Sequence, residues 1–316
     1  MATIDLTPEL RAQYQELFDS CEVRPEHEHS AQTLVTRIAA NQSRYSEVGT
    51  PVAIPWYVIG VIHCMEGSLN FGTHLHNGDP LNARTVHVPA GRPPTGEPPF
   101  TWEESAIDAL KFDHLADWRD WSIPGILYRL EAYNGFGYRT RHPEVLTPCL
   151  WSFSNHYESG KYVADGRFSA TAVSDQCGAA VLLRNMAEGG TIRFDSAGVP
   201  MPAMPEDTVE RLEPMVHFSR SMRSPLVEDL QRMLNKFPGI FVKVDGIPGT
   251  KTSDAFKRVT GQFLIGDPRA QLLSNDRPQT VYSCAPERTC DGLSQRDEHN
   301  GIRARARPHS ESECSG

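Results

Sequence analysis

Residues 51–81 read PVAIPWYVIGVIHCMEGSLNFGTHLHNGDPL, an apolar segment that ends on a carboxylate and runs into a polar, His-rich turn. Pro55 suits a first helical position, and Trp56, Val58, Ile59, Val61, Ile62 and Met65 cover nearly every face, the composition of a helix buried in a core. Glu66 falls at the end of that helix, and Gly67 suits the residue beyond it, where a left-handed conformation is often needed. A carboxylate there is unfavourable twice over, because the helix dipole presents negative charge at its C-terminus and apolar surroundings disfavour the ionised form. Both effects raise its pKa. A Glu that keeps its proton near neutral pH is what general-acid cleavage of a glycosidic bond requires. The plainer alternative is a helix-end Glu turned out to solvent.

Outward from this segment the chain reads as mainly α. Residues 8–18 and 29–46 show helical spacing, the second through Leu34, Ile38 and Ala39. The run VPAGRPPTGEPPF, residues 88–100, is too rich in Pro and Gly for regular structure and long enough to border a cleft. Thr101 to Glu104 is a capping-box pattern that opens a helix with Ile107, Leu110 and Leu115 on one side. Pro124 suits the start of a helix carrying Ile126, Leu127, Leu130 and Tyr133, which ends near Asn134 and Gly135. A last helix is expected over residues 169–187, through Val173, Cys177, Val181 and Leu182. Strand-like alternation is scarce, so residues 1–190 are expected to form a mostly helical domain with one short hairpin at 70–87.

Residues 191–221 are rich in Pro and Met without a sustained period and read as a linker. Regularity returns in 222–272, where Leu226, Val227, Leu230, Met233, Leu234 and Phe237 form one helical stripe. Ala255, Phe256, Val259 and Phe263 form a second, which Thr252 could cap, and VDGIPG (244–249) makes the turn between them. Over residues 222–271, eight Lys or Arg stand against five Asp or Glu, a mildly basic module on a chain of net charge -9. Such a bias suits an acidic polymer, although a solvated charged face produces it as well. Residues 273–316 are polar and read as a disordered tail.

At 316 residues with 39% hydrophobic composition, the chain has the length for about two globular domains. No run approaches a membrane span, and MATIDLTPELRAQYQ lacks the basic start and apolar stretch of a signal peptide. The acidic charge argues against nonspecific nucleic-acid binding. Cysteines 21, 64, 149, 177, 284, 290 and 314 show no metal-like spacing and read as reduced thiols of a chain made in the cytoplasm; no cofactor is expected.

The segment LVEDLQRMLNKFPGIFVKVDGIPGTKTSDAFKRV resembles the peptidoglycan-binding type 1 module, matching in order at Leu230-Gln231, Val244-Asp245-Gly246-Ile247 and Gly249 to Thr252. It departs at Pro248, where an aromatic is usual, and at Val259-Thr260. Residues 51–186 resemble the lysozyme superfamily, closest to goose-type lysozymes and soluble lytic transglycosylases. Glu66-Gly67-Ser68 is similar to their catalytic Glu context and Ala132-Tyr133-Asn134-Gly135 to the transglycosylase AYNAG segment; the intervening Gly-Leu-Met-Gln segment is missing. The resemblance implies a lysozyme-like helical domain with a small hairpin, Glu66 as catalytic acid, Tyr133 and Asn134 at the sugar site, and a small three-helix-type wall-binding module.

Asp79 occupies the turn where goose-type enzymes carry an acidic residue, and is the expected base; an inverting glycosidase needs its two carboxylates about 6.5–9.5 Å apart. The alternative is an Asx-turn residue in Asn77-Gly78-Asp79-Pro80. His74 and His76 are expected to hydrogen-bond sugar hydroxyls or hold the turn; with Asp79 they also allow a zinc amidase or peptidase, although no HExxH is present. Among Trp102, Trp118, Trp121, Tyr133, Tyr138, Trp151 and Tyr157, Tyr133 and Trp151 are the preferred stacking residues, with Ser152, Ser154 and Asn155 supplying polar contacts. The expected function is glycan cleavage in peptidoglycan or a related aminosugar polymer, acting at the cell wall after export by a route the sequence leaves open. Transglycosylase or chitinase-type chemistry, and a noncatalytic wall-binding protein, are the alternatives.

Overall fold

The computed structural model describes residues 4–194 and 216–270; the expected linker lies mostly, and the expected tail wholly, outside them. The described chain is mainly helical, with one small two-stranded sheet. Helices α1 (Pro8–Asp19), α2 (Glu28–Ala40), α3 (Gln42–Gly49), α4 (Trp56–Gly67), α5 (Trp102–Phe112) and α6 (Ile123–Asn134) come first. The short α7 (Gly137–Arg141) and α8 (Pro148–Trp151), strands β1 (Lys161–Ala164) and β2 (Arg167–Ser169), and α9 (Ala179–Gly189) complete the N-terminal body. Helices α10 (Pro225–Leu234) and α11 (Thr250–Thr260) carry the C-terminal module, and residues 268–270 are again helical.

Helix α4 is the axis of the body. Val58 through His63 are all buried, and α2, α3 and α9 pack around it. Gly60 makes that closeness possible: a Cβ there would stand 2.5 Å from Ile38 Cγ2 and 3.2 Å from Tyr45 Cε2. Tyr45 and His63 share a hydrogen bond at 3.0 Å in this core, and burial pushes the His63 pKa down to about 4, so the imidazole is neutral. The left-handed turn that ends α4 falls on Ser68 and Leu69 (φ 49° and 61°), not on Gly67. Gly67 is required for another reason, since a Cβ on it would meet the His63 ring at 2.9 Å.

Thr101 and Glu104 form the expected capping box, Thr101 Oγ1 accepting from the Glu104 N–H at 3.2 Å and Glu104 Oε2 accepting from the Thr101 N–H at 2.9 Å. The expected helix over 29–46 is interrupted at Asn41, the boundary between α2 and α3. The expected hairpin at 70–87 is corrected. It is present only in part: Thr73 and Pro80 form an isolated antiparallel bridge, with the His74 N–H donating to Asp79 O at 2.7 Å and the Leu81 N–H to Gly72 O at 3.4 Å, but no strand forms, and His74 and His76 bond α5. The antiparallel pair is β1 with β2, in the stretch expected to lead into a helix, and α9 begins only at Ala179.

The C-terminal module packs directly on the body, and residues 1–274 form one compact unit. Phe241 is the plug: its ring lies 5.6 Å from Phe18 and 5.8 Å from Phe194, both in edge-to-face arrangement. Arg184, fully buried on α9, donates to the carbonyls of Phe18, Asp19 and Val242 and pairs with Glu188 at 2.8 Å. Ion pairs Arg232–Glu22 (2.8 Å) and Lys243–Glu28 (2.7 Å) rim the contact. Inside the module, Gln231 is fully buried and fully satisfied. Its Oε1 accepts from the N–H groups of Asp245 and Gly246, and its Nε2 donates to Asp245 Oδ1, Ile247 O and Thr252 Oγ1. The Leu-Gln, VDGI and Lys-Thr segments thus meet at one amide. Gly249, not Thr252, caps α11.

Candidate active site

Three helix C-termini present their last residues to one place. Glu66 is in the last turn of α4, Asp113 caps α5, and Tyr133 is in the last turn of α6. Glu66 is exposed at the end of α4, so water reaches it as the plainer alternative expected, yet enough protein surrounds its carboxyl to strip part of its hydration. Its pKa is raised, first by that desolvation and then by the charge of Asp113. Asp113 is half-buried and raised as well by desolvation, partly offset by a hydrogen bond from the Tyr133 hydroxyl and by nearby His76, His114 and Arg129. The Tyr133 phenol is pushed well above its usual range by burial and by both carboxylates, so it remains a donor. The dipoles of α4 and α5 add negative potential at the same two positions.

The Tyr133 hydrogen bond and the nearby His76, His114 and Arg129 favour the ionised form of Asp113, and its negative charge favours the protonated form of Glu66.

Asp79, the expected base, is elsewhere and occupied. The charge Glu66 feels is that of Asp113. Asp79 is only 6% exposed, its Oδ2 accepts from the N–H groups of Val86 (2.7 Å) and His87 (3.0 Å) and from Asn77 (3.2 Å), and Oδ1 bonds His87 Nδ1 at 2.5 Å. These donors, the His87 backbone first, hold its pKa far below the carboxylate range. The Asp79 N–H also donates to Asn77 Oδ1 at 3.1 Å, so Asn77 makes the Asx turn and Asp79 closes it, a structural role in the Asn77-Gly78-Asp79-Pro80 turn.

The expected sugar contacts divide. Tyr133 stands beside Glu66 and Asp113, and Asn134 is exposed one residue on, its amide donating back to Leu130 O at 3.3 Å. Trp151 is corrected: it is fully buried in the core and offers no face to a ligand. Asn155 is corrected too, since its amide bonds Glu22 N (2.9 Å) and Ser20 O (3.0 Å) and holds the end of α1. His74 is buried, with Nδ1 on Ser105 Oγ (2.7 Å) and Nε2 on Ala83 O (2.8 Å), and so fastens the turn rather than a sugar. His76 also turns inward: Nε2 donates to Asp108 Oδ2 at 2.9 Å, Arg92 grips the same carboxylate, and Nδ1 is buried without a partner. Its influence on the site is electrostatic, through Asp113.

Asp113 is the residue the sequence reading missed. The one signal available was its position at the C-terminal cap of a helix, where the dipole opposes a negative charge as it does at Glu66; its nearness to Glu66 was not in the sequence. Glu131, another raised carboxyl, is spent on Tyr14 Oη (2.6 Å) and Arg139 (2.8 Å) and is fully buried. Among the described residues, no group of three or more His, Cys, Asp or Glu is placed to hold a metal ion, and no single helix is long and apolar enough to cross a membrane. Compared with protein-family models, with curated proteins and with solved structures, the chain matches none.

Proposed function

We propose that the chain is a glycoside hydrolase acting on the glycan of peptidoglycan or a related aminosugar polymer. The observation that carries this reading is the raised pKa of a water-reachable Glu66 at the end of a buried helix, beside a second carboxyl and a tyrosine. Glu66 protonates the glycosidic oxygen as the bond breaks. Asp113 takes the proton of the attacking water, and Tyr133 keeps Asp113 in place through its hydroxyl. Support for the polymer comes from the likeness of residues 226–259 to a peptidoglycan-binding module and of the Glu66 and Tyr133 segments to the lysozyme superfamily. The buried Gln231 network gives the first likeness a physical basis, since it needs those residue types in that order.

Asp113's own raised pKa favours one second reading, a lytic transglycosylase in which the substrate closes an anhydro ring and no water-activating base is needed. Digestion of purified peptidoglycan with mass spectrometry of the products tests both. New reducing ends are the result expected of the hydrolase. Anhydro-muramic ends replace it with the transglycosylase, and free stem peptides with intact glycan overturn both.

A further inference from the structure

Two cavities meet along α2. One, of about 780 Å³, lies beside the C-terminal end of α4 and takes in Arg37, Met65 and Ser68. The other, of about 670 Å³, lies where the module packs on the body and draws Glu28, Gln32 and Asn185 from the body and Glu228, Arg232 and Lys243 from the module. His29 lines both. Between them the exposed face of α2 carries His29, Gln32, Thr33 and Arg37 at three- and four-residue spacing, a continuous row of hydrogen-bonding groups. From Glu28 to Arg37 the helix rises about 14 Å. The row therefore leads from the flank of the Glu66 helix end to the module.

The charge at the junction is unbalanced. Glu22 is held by Arg232 at 2.8 Å, Glu28 by Lys243 at 2.7 Å, and Glu188 by the buried Arg184 at 2.8 Å. Glu228 has only a share of Arg232 at 3.6 Å. Its carboxylate is the excess negative charge of the cavity, and an exposed pair of that length costs little to exchange for a new cation. Because Phe241 and Arg184 fix the module on the body, the cavity exists before any ligand arrives.

We infer that this junction is a second binding site, taking a primary ammonium group on the peptide branches of the polymer whose glycan enters at Glu66. Glu228 receives the ammonium, and Gln32 and Asn185 meet the adjoining peptide amides. The identity of the polymer rests on the glycosidase reading; the preference for an amine does not.

The test is calorimetric titration of the full chain with soluble peptide-bearing glycan fragments, before and after acetylation of their free amines. The wild type is expected to bind the free-amine form about fivefold more tightly, the range of a single partly exposed charge contact. Glu228→Gln is expected to bind both forms alike. Gln32→Ala, which removes an exposed side chain bonded only to Thr36 at 3.5 Å, is expected to weaken both forms while the folded melting temperature holds. Equal affinity of the wild type for the two forms overturns the inference. Cleavage of peptide-free glycan by the wild type is scored in parallel. Amine-dependent binding without cleavage condemns the glycosidase reading alone, and cleavage without amine dependence condemns the junction site alone.

Discussion

Glu66 and Asp113 meet from the ends of two helices whose dipoles both oppose a negative charge, and this determines how their protons move with pH. Both pKa values are raised, so in the folded chain activity needs Asp113 ionised while Glu66 is still protonated. The expected rate profile is a bell: it falls on the acid side as Asp113 takes up its proton and on the basic side as Glu66 loses its own. Glu66→Gln is expected to cut turnover by about two to four orders of magnitude. It is also expected to raise the melting temperature at neutral pH, because a carboxyl raised on folding contributes stability only while protonated and loses it as pH climbs through the raised value. Asp79→Asn should leave turnover intact and lower the melting temperature, since it loosens the Val86 and His87 contacts; loss of turnover there would return the base to Asp79. Glu66 was legible from sequence because its two penalties are local. Asp113 was not, because its nearness to Glu66 is a tertiary relation between the ends of α4 and α5, and the turn position after Glu66 led to Asp79 instead.

Helix α4 shows how an element is read correctly and its end misread. Its apolar composition on every face announces burial, whereas the reasons for its glycines lie in its neighbours. Gly60→Ala is expected to cost about 1–3 kcal/mol in denaturant unfolding, because the added methyl meets Ile38 and Tyr45 with no room to retreat. An unchanged midpoint would mean that α2 and α3 can move away. The misplaced hairpin has a similar lesson. The segment 70–87 pairs only at Thr73 and Pro80 while His74 and His76 bond α5, and Asp165-Gly166, a strong two-residue turn signal between Tyr162 and Phe168, went unused. Gly166 there has φ 67°.

At the scale of the whole molecule, the module is fixed on the body rather than free to swing. Two exposed ion pairs at the rim are worth little and are screened by salt, so the hold is Phe241 and the buried Arg184. The expected thermal transition is a single one. Phe241→Ala removes about 2–3 kcal/mol of packing between the two parts and is expected to split or broaden that transition, whereas 0.5 M salt, with a screening length about twofold shorter than at roughly 0.1 M, leaves the wild-type transition single. None of this docking was legible in the sequence, where residues 191–221 read as a spacer between separate domains. The composition of a connecting segment reports its stiffness and is silent on what the joined parts bury against each other.

The proposed chemistry depends on a Glu66 pKa raised by desolvation and, beyond that, by the charge of Asp113, and both are measurable directly. The chain labelled with 13C at the glutamate carboxyls, with Glu66→Gln identifying the resonance, is titrated by NMR alongside Asp113→Asn. The expected result is a Glu66 pKa above the ordinary 4.5 in the wild type that drops when Asp113 is made neutral. A Glu66 that titrates at or below 4.5 and does not respond to Asp113→Asn contradicts the acid and base proposed for this site.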